Sequence, residues 1–173
     1  MAPLPLGHPE MDASLDTIRH QIVQLLPRLR RFAVALTGSM ADGDDLVQDT
    51  VERALKNLHA WEPGSRLDSW MFRIAKNRFI DTRRSWKRGK TVAIEAVEEP
   101  AWDGEGAMQA HLAFQDTAKA LQTLPVEQRQ AVALVLVDGL SYREAADILE
   151  IPIGTLTSRI SRAREALMAT LEG

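Results

Sequence analysis

The segment from Leu140 to Leu167 constrains the fold most strongly, because LSYREAADILEIPIGTLTSRISRAREAL has the pattern of two short helices separated by a break. Ser141 can cap the first helix, and Glu144, three residues later, completes a capping box. Pro152 cannot continue that helix, but it fits before the first turn of another, which we predict from about Thr155 to Leu171. This pattern is typical of a helix-turn-helix.

The second helix of this pair has two chemically different faces. Its apolar stripe, which we expect to be buried, consists of Leu156, Ile160, Ala163 and Leu167. Its opposite face is short, polar and basic, and consists of Thr157, Ser158, Ser161 and Arg162. Short hydroxyl side chains let a helix approach the DNA major groove closely, and Arg can donate two hydrogen bonds to a guanine edge. The alternative is an ordinary pair of antiparallel helices with a solvated polar face.

Composition predicts an all-α protein made of two small helical domains. The chain has 173 residues, of which 45% are hydrophobic and 26% charged, and it has almost no alternating β-branched runs. It contains no cysteine, which excludes disulfides and thiolate metal sites. Its four histidines fall in no spacing typical of a metal site or a catalytic triad, and no glycine-rich phosphate loop is present. We therefore expect no metal, no cofactor, no small-molecule substrate and no enzymatic activity.

The sequence also predicts that the protein stays in the cytoplasm without membrane insertion. No segment approaches the ~20 consecutive apolar residues that a membrane-spanning helix needs. The N-terminal segment MAPLPLGHPE has neither the basic start nor the apolar centre of a secretion signal.

Charge is distributed unevenly along the chain, although the formal net charge is only −3. Between Arg73 and Lys90, eight basic residues are opposed only by Asp81: Arg73, Lys76, Arg78, Arg83, Arg84, Lys87, Arg88 and Lys90. The next segment is acidic, contains proline and glycine and has no basic residue; its acidic side chains are Glu95, Glu98, Glu99, Asp103 and Glu105. A segment of this composition is typical of a flexible linker.

With this linker between two helical domains, the chain has four parts. We predict a disordered tail at 1–17, a helical domain at 18–90, a flexible acidic linker at 91–111, and a second helical domain at 112–173 that contains the helix-turn-helix. In the first domain, periodicity predicts a helix that ends near Thr37, a second that starts after an acidic turn at 41–45, and a third around Trp70 and Ile74. In the second, the apolar segment 131–137 is expected to form the central core helix.

Several motifs in this order resemble the bacterial RNA polymerase sigma factors of the extracytoplasmic function (ECF) group, which consist of two helical domains. In the first domain these are LRRFAVALTG, DGDDLVQDTVERALKNL and SWMFRIAKNRFIDTRR. In the second domain, the resemblance covers LPVEQRQAVALVLVDGLSYREAADILEIPIGTLTSRISRAREAL. It implies that the chain binds core RNA polymerase and promoter DNA, reads minus-35 and minus-10 elements, and assists promoter melting. It also implies control by an anti-sigma factor.

The resemblance assigns polymerase binding to one edge of the DDLVQDTVERA motif. The matching positions are Asp45, Leu46, Gln48, Asp49 and Arg53. A mixed polar and apolar patch of this kind suits a helix-on-helix interface. Judged on the residues alone, the alternative is a solvated helix face.

The resemblance also assigns minus-10 DNA binding to the third helix. Asn77 matches the position that helps to select a flipped base, and an amide can both donate to and accept from a base edge. The basic neighbours expected to contact phosphates are Arg73, Lys76, Arg78, Arg83, Arg84, Lys87 and Arg88. The alternative is that these residues only form a basic helix end, which complements the helix dipole and keeps the protein in solution. Trp70 and Trp86 can either pack in the core or stack on bases.

In the recognition helix, the resemblance assigns minus-35 base contacts to the polar face and backbone contacts to its edges. The base-contact candidates are Thr157, Ser158, Ser161 and Arg162, and the backbone candidates are Thr155 and Arg159. Many relatives carry a basic residue where this chain has Thr157, so their minus-35 consensus does not transfer to this protein.

The sequence leaves open two alternative functions and the role of the linker. A freestanding helix-turn-helix repressor would explain the second domain but would leave the DDLVQDTVERA and SWMFRIAKNRF segments without a role. A helical adaptor that binds only protein would leave the basic recognition face unexplained. The acidic linker can enter the RNA channel of the polymerase or act only as a tether.

Overall fold

The structure, a computed structural model, describes residues 9–87 and 104–172, and every regular element in these ranges is helical. The α-helices are α1 (Pro9–Thr37), α2 (Met40–Lys56), α3 (Leu67–Lys87), α4 (Glu105–Leu121), α5 (Val126–Val132), α6 (Tyr142–Leu149) and α7 (Ile153–Glu172). A 3₁₀ turn at Leu58–Ala60 follows α2, and a π-helical segment at Ala133–Val137 continues α5. The predicted all-α class is confirmed. In the described ranges, no helix has the length and apolar character needed to span a membrane.

The first domain is held together by the packing of α1 against α2 and α3. Phe32 of α1 and Phe72 of α3 are both buried, and their rings meet edge to face with centroids 5.2 Å apart. Such a pair contributes about 0.5 to 1.5 kcal/mol beyond the burial of its surface. Leu29 and Leu36 extend the same apolar stripe of α1, which ends at Thr37 as predicted.

The helix starts in this domain differ from the prediction. α1 begins at Pro9, so residues 9–17 of the predicted disordered tail are helical, and proline is well suited to a first helical position. α2 begins at Met40, because the Oγ atom of Ser39 accepts a hydrogen bond from the backbone nitrogen of Asp42 at 3.0 Å. The acidic segment that we expected to form a turn therefore belongs to α2, and Asp42 lies in the first turn, where a carboxylate is favoured by the helix dipole.

Gly43 of α2 packs closely against Val34 of α1, which leads to a stability prediction. A Cβ atom at this position would lie 2.5 Å from Cγ2 and 3.0 Å from the backbone nitrogen of Val34. Gly43→Ala should therefore lower the free energy of unfolding by about 1 to 2 kcal/mol, measured by urea denaturation. Gly106→Ala is the matched control, because a Cβ at Gly106 meets no atom within 4 Å. An equal effect of both substitutions would contradict the tight packing of α2 on α1.

The core of the second domain is formed by α4, α5 and the helix-turn-helix. Leu121, Leu124 and Leu134 are buried together with the inner faces of α6 and α7. The predicted core helix at 131–137 is divided between α5 and the π-helical segment, and its side chains are fully buried only from 131 to 134. Leu136 is 47% exposed, so the second half of this apolar segment does not lie in the core.

The two helical domains contact each other directly. Gln122 donates a hydrogen bond from Nε2 to the backbone oxygen of Ala35 at 3.1 Å, and Arg129 donates one from Nη1 to that of Leu36 at 2.9 Å. One continuous cluster of buried apolar side chains includes residues of both domains. The predicted linker boundary also shifts, because α4 begins at Glu105 and residues 105–111 are therefore helical. The remainder of that linker, 91–103, lies outside the described residues.

Candidate nucleic-acid interface

The helix-turn-helix has the local structure that its sequence predicts. The backbone nitrogen of Glu144 donates to Oγ of Ser141 at 3.1 Å, and the backbone nitrogen of Ser141 donates to Oε2 of Glu144 at 3.0 Å, which forms a complete capping box. α6 ends at Glu150, which adopts a left-handed backbone conformation with φ of 57°. Pro152 then precedes α7, which begins at Ile153, two residues earlier than predicted.

The two faces of α7 are separated as expected. Leu156, Ile160 and Ala163 are buried and Leu167 is half-buried, so this stripe attaches the helix to the domain. The predicted base-contacting side chains, together with Thr155, are all exposed: Thr157, Ser158, Ser161 and Arg162. Arg159 is half-buried at the edge of this face. Thr157 donates a hydrogen bond from Oγ1 to the backbone oxygen of Ile153 at 3.0 Å.

Ile153 is a candidate contact residue that sequence reasoning missed. It is the first residue of α7 and is 46% exposed, whereas most isoleucines are buried. The position of Ile153 directly after Pro152 could have identified it, because that proline marks the start of α7.

The basic residues predicted on α3 occupy different environments. Asn77 and Arg84 are exposed. Arg78 is half-buried and donates a hydrogen bond from Nε to Oδ2 of Asp49 at 2.8 Å. The guanidinium of Arg83 lies 5.8 Å from the centre of the Phe79 ring, at cation–π distance. The side chain of Lys87 and the whole of Arg88 lie outside the described residues.

Arg73 contacts the second domain, and Lys76 is buried. Arg73 donates a hydrogen bond from Nη2 to the backbone oxygen of Asp147 at 3.0 Å, and its Nε lies 3.6 Å from Oε1 of Glu150. Lys76 is only 7% exposed. Burial lowers the pKa of Lys76, an effect that Glu150 opposes and Arg73 strengthens through their charges. The Arg73 side chain is still 40% exposed, whereas that of Lys76 does not face solvent in this conformation.

The aromatic side chains of α3 mainly serve packing. Phe72 and Phe79 are buried, and Trp70 is half-buried against the core. The side chain of Trp86 lies outside the described residues. Core packing is therefore the role that the structure gives to Trp70.

The edge of α2 with the predicted polymerase contacts is mostly accessible. Asp45, Gln48 and Arg53 are exposed, and Asp49 is half-buried beside Arg78. Leu46 is only 6% exposed and belongs to the core of the first domain. Leu46 therefore helps to hold α2 on the domain core, and its side chain is not part of the accessible edge.

A charge network that local sequence patterns did not reveal joins the two domains. Arg28 donates from Nη2 to Oδ2 of Asp138 at 2.8 Å and from Nη1 to Oδ2 of Asp68 at 3.1 Å, although these partners are 110 and 40 residues away. Burial raises the pKa of Asp138, and the hydrogen bond and charge of Arg28 oppose that shift. For Asp68 burial is outweighed by hydrogen bonds from Arg66, the Ser69 backbone and Arg28, so its pKa is lowered.

Comparisons with known proteins match two separate segments of the chain to family models. Residues 22–76 match a family model described as the Sigma2 domain of PhyR, and residues 114–167 match one described as Sigma-70, region 4. The chain is 38% identical over 156 residues to the ECF RNA polymerase sigma factor EcfG of Rhodopseudomonas palustris (strain TIE-1), covering 90% of this chain and 86% of that protein.

Two solved structures share the fold over most of the chain. The first is the sigma factor RpoE in complex with the anti-sigma factor NepR from Bartonella quintana, at 37% identity and a TM-score of 0.74, covering 90% of this chain and 97% of that chain. The second is CnrH in complex with the cytosolic domain of CnrY, at 26% identity and a TM-score of 0.66, covering 88% of this chain and 86% of that chain. Together with the helix-turn-helix geometry, these matches show that the chain belongs to the ECF RNA polymerase sigma factors.

Proposed function

We propose that this sigma factor binds core RNA polymerase through α2, reads a minus-35 element with α7 and a minus-10 element with α3, and thereby directs transcription initiation. The observation that carries the proposal is the exposed polar and basic face of α7 in a complete helix-turn-helix. A second exposed surface, formed by Asn77 and Arg84 on α3, supports it. In this proposal the protein selects and opens promoter DNA, and the polymerase catalyses bond formation.

At the minus-35 element, α7 contributes both hydrogen-bonding and apolar contacts. Arg162 can make a bidentate contact with a guanine, and Thr157, Ser158 and Ser161 can bond to base edges at short range. Thr155 and Arg159 contact phosphates. The exposed side chain of Ile153 suits the methyl group of a thymine, the apolar feature of the major groove.

At the minus-10 element, Asn77 reads a base and the basic residues of α3 hold the strand. Asn77 is exposed and flanked by cationic side chains on the same helix. A basic surface of this kind tracks the backbone of single-stranded DNA and makes binding depend strongly on salt. Arg84 is exposed and forms no ion pair with any other described residue, and we assign it a phosphate contact.

At the polymerase, the contact edge of α2 consists of Asp45, Gln48, Asp49 and Arg53. Leu46 acts indirectly, since its burial fixes α2 on the domain core. The hydrogen bond from Arg78 to Asp49 links this edge to the DNA-reading helix α3. Polymerase binding and minus-10 recognition are therefore adjacent functions of one rigid pair of helices.

Substitution of Arg53 tests the polymerase edge. Arg53→Ala should weaken binding to purified bacterial core polymerase about tenfold, a typical loss for one significant interface residue, with the folded state unchanged because Arg53 is exposed. The measurement is a fluorescence-anisotropy titration of labelled protein with core polymerase.

Lys56→Ala is the matched control, because Lys56 is also exposed and basic and lies in the last turn of α2. It should leave the affinity within twofold. If both variants bind as tightly as the wild type, α2 does not form the polymerase contact.

We further infer that the protein acts in the cytoplasm under the control of an anti-sigma factor. The support is the similarity to the sigma factor RpoE, which was solved in complex with the anti-sigma factor NepR, and to CnrH, which was solved in complex with the cytosolic domain of CnrY. Co-purification of the tagged protein from its native host should recover a small partner besides polymerase. Repeated recovery of polymerase alone would contradict this inference.

A further inference from the structure

Gly154 is the second residue of α7, and neither its backbone conformation nor its surroundings require a glycine. Its φ does not lie in the left-handed region that favours glycine. A Cβ atom at this position would meet no other atom within 4 Å. Glycine in a helix is less stable than alanine, because it loses more backbone freedom on folding. A residue that lowers helix stability without serving the fold indicates that another molecule approaches the backbone closely at this point.

Gly154 lies on the face of α7 that we assign to base contacts. Residues three, four, seven and eight positions apart share one face of an α-helix. Counted from Gly154, these positions are Thr157, Ser158, Ser161 and Arg162. All five residues are exposed. The polar face therefore begins with a residue that has no side chain, one turn before the first hydroxyl groups.

The reach of the side chains on this face is smallest at the N-terminal end of α7. Gly154 has no side chain, Thr157 and Ser158 have short ones, and the longest, Arg162, lies about 12 Å further along the helix axis. Recognition helices contact base edges mainly with their N-terminal residues, so the gap to the DNA widens in the same direction. Glu165 continues this face and is exposed, and its carboxylate would be repelled by phosphates. The DNA contact therefore ends before Glu165.

The packing of α7 prevents the helix from moving inward to make room for an added side chain. Leu156, Ile160 and Ala163 are at most 2% exposed and attach α7 to the core of the second domain. Closely packed side chains of this kind resist displacement. A methyl group at Gly154 would therefore change the distance between α7 and the DNA, while the position of α7 in its own domain would stay the same.

We propose that Gly154 is the point of closest approach between α7 and the minus-35 DNA, and that any side chain at this position lifts the N-terminal end of α7 out of the major groove. The proposal rests on the role of α7 given under Proposed function. Gly154 is then a positioning residue, because it sets the distance at which Thr157 and Ser158 reach base edges. The helix gives up stability at this position in exchange for a closer fit to DNA.

The test replaces Gly154 by alanine and by leucine, and Gly106 carries the same two substitutions as matched controls. Gly106 is also the second residue of its helix, α4, and is exposed, and a Cβ there would meet no atom within 4 Å. Gly154→Ala and Gly106→Ala should both raise the urea midpoint of unfolding, because each replaces a glycine in a helix. A lower midpoint for Gly154→Ala would show that the fold itself needs this glycine, and would overturn the proposal.

DNA affinity is measured with polymerase reconstituted from the core enzyme and each full-length variant. The probe is a double-stranded promoter fragment with a start site that the wild-type protein produces in run-off transcription, compared with the same fragment after its upstream motif has been scrambled. Gly154→Ala should bind the intact fragment about tenfold more weakly than the wild type, and Gly154→Leu about a hundredfold, because several short hydrogen bonds lengthen together. Both Gly106 variants should bind it within about twofold of the wild type. Affinity for the scrambled fragment should change little in any variant.

Two binding results would overturn the proposal. One is a Gly154→Ala variant that binds the intact fragment as tightly as Gly106→Ala. The other is an equal loss for alanine and leucine at Gly154, because a steric effect grows with side-chain size. Arg162→Ala distinguishes these results from a failure of the proposed function. If only Arg162→Ala loses affinity, α7 reads the DNA but Gly154 does not set its distance; if neither variant loses affinity, the minus-35 role of α7 is itself wrong.

Discussion

Arg129→Met should lower the free energy of unfolding by about 2 to 4 kcal/mol, because several buried carbonyl groups lose their donor at once. The guanidinium of Arg129 donates to the backbone oxygens of Leu121, Gln122 and Leu124 around the end of α4, and to that of Leu36 at the end of α1. These oxygens belong to helix ends and the following turn, where intrahelical donors are missing. Methionine fills much of the volume but donates no hydrogen bond.

Urea denaturation followed by circular dichroism measures this loss. Burial, and secondarily the charge of Arg83, lowers the pKa of Arg129, so part of the stabilisation is offset by the cost of burying the charge. Arg143→Met is the control, because Arg143 is exposed on α6, and it should change the free energy of unfolding by less than about 0.5 kcal/mol. A similarly small effect of Arg129→Met would show that the two domains do not depend on this residue.

Arg162→Ala should weaken recognition of the cognate minus-35 sequence by about 1 to 3 kcal/mol, or about five- to 150-fold, and relax the base preference at one promoter position. The reason is the loss of a bidentate contact from an exposed side chain at the centre of the polar face of α7. The measurement is binding of polymerase reconstituted with each variant to a library of promoter fragments. Binding to core polymerase itself should not change, because we assign that contact to α2.

Arg164→Ala is the control for this substitution, because Arg164 is also exposed on α7 but lies nearer the edge of its polar face. It should reduce affinity for all sequences equally and make binding less dependent on salt, as loss of a phosphate contact does. If Arg162→Ala also reduced affinity uniformly without altering any base preference, Arg162 would be a phosphate contact and the assignment of α7 would need revision.

Local chemistry made the second domain largely predictable. The capping box of Ser141 and Glu144, the break at Pro152 and the apolar spacing of α7 act over a few residues, and each is found as expected. The apolar spacing of α1 likewise predicted where that helix ends. The start of α2 differs from the prediction, because the acidic residues after Ser39 continue a capped helix instead of forming a turn.

Contacts between distant segments could not be predicted in this way. Leu46 belongs to a motif that resembles a binding surface, yet its side chain packs in the core because its position on α2 turns it toward α1 and α3. The hydrogen bond of Arg73 to Asp147 and the pairing of Arg28 with Asp138 depend on how the two domains meet. Neither periodicity nor motif spacing within one helix carries that information.

The central claim is tested most directly by run-off transcription with purified bacterial core polymerase on sheared DNA from the source organism, with and without this protein, followed by mapping of the start sites. The account predicts new start sites that share two spaced upstream motifs and that appear only when the protein is added. No new start sites, with folded protein that is free of any bound inhibitor, would contradict a role in promoter recognition and would favour a repressor that binds operator DNA alone.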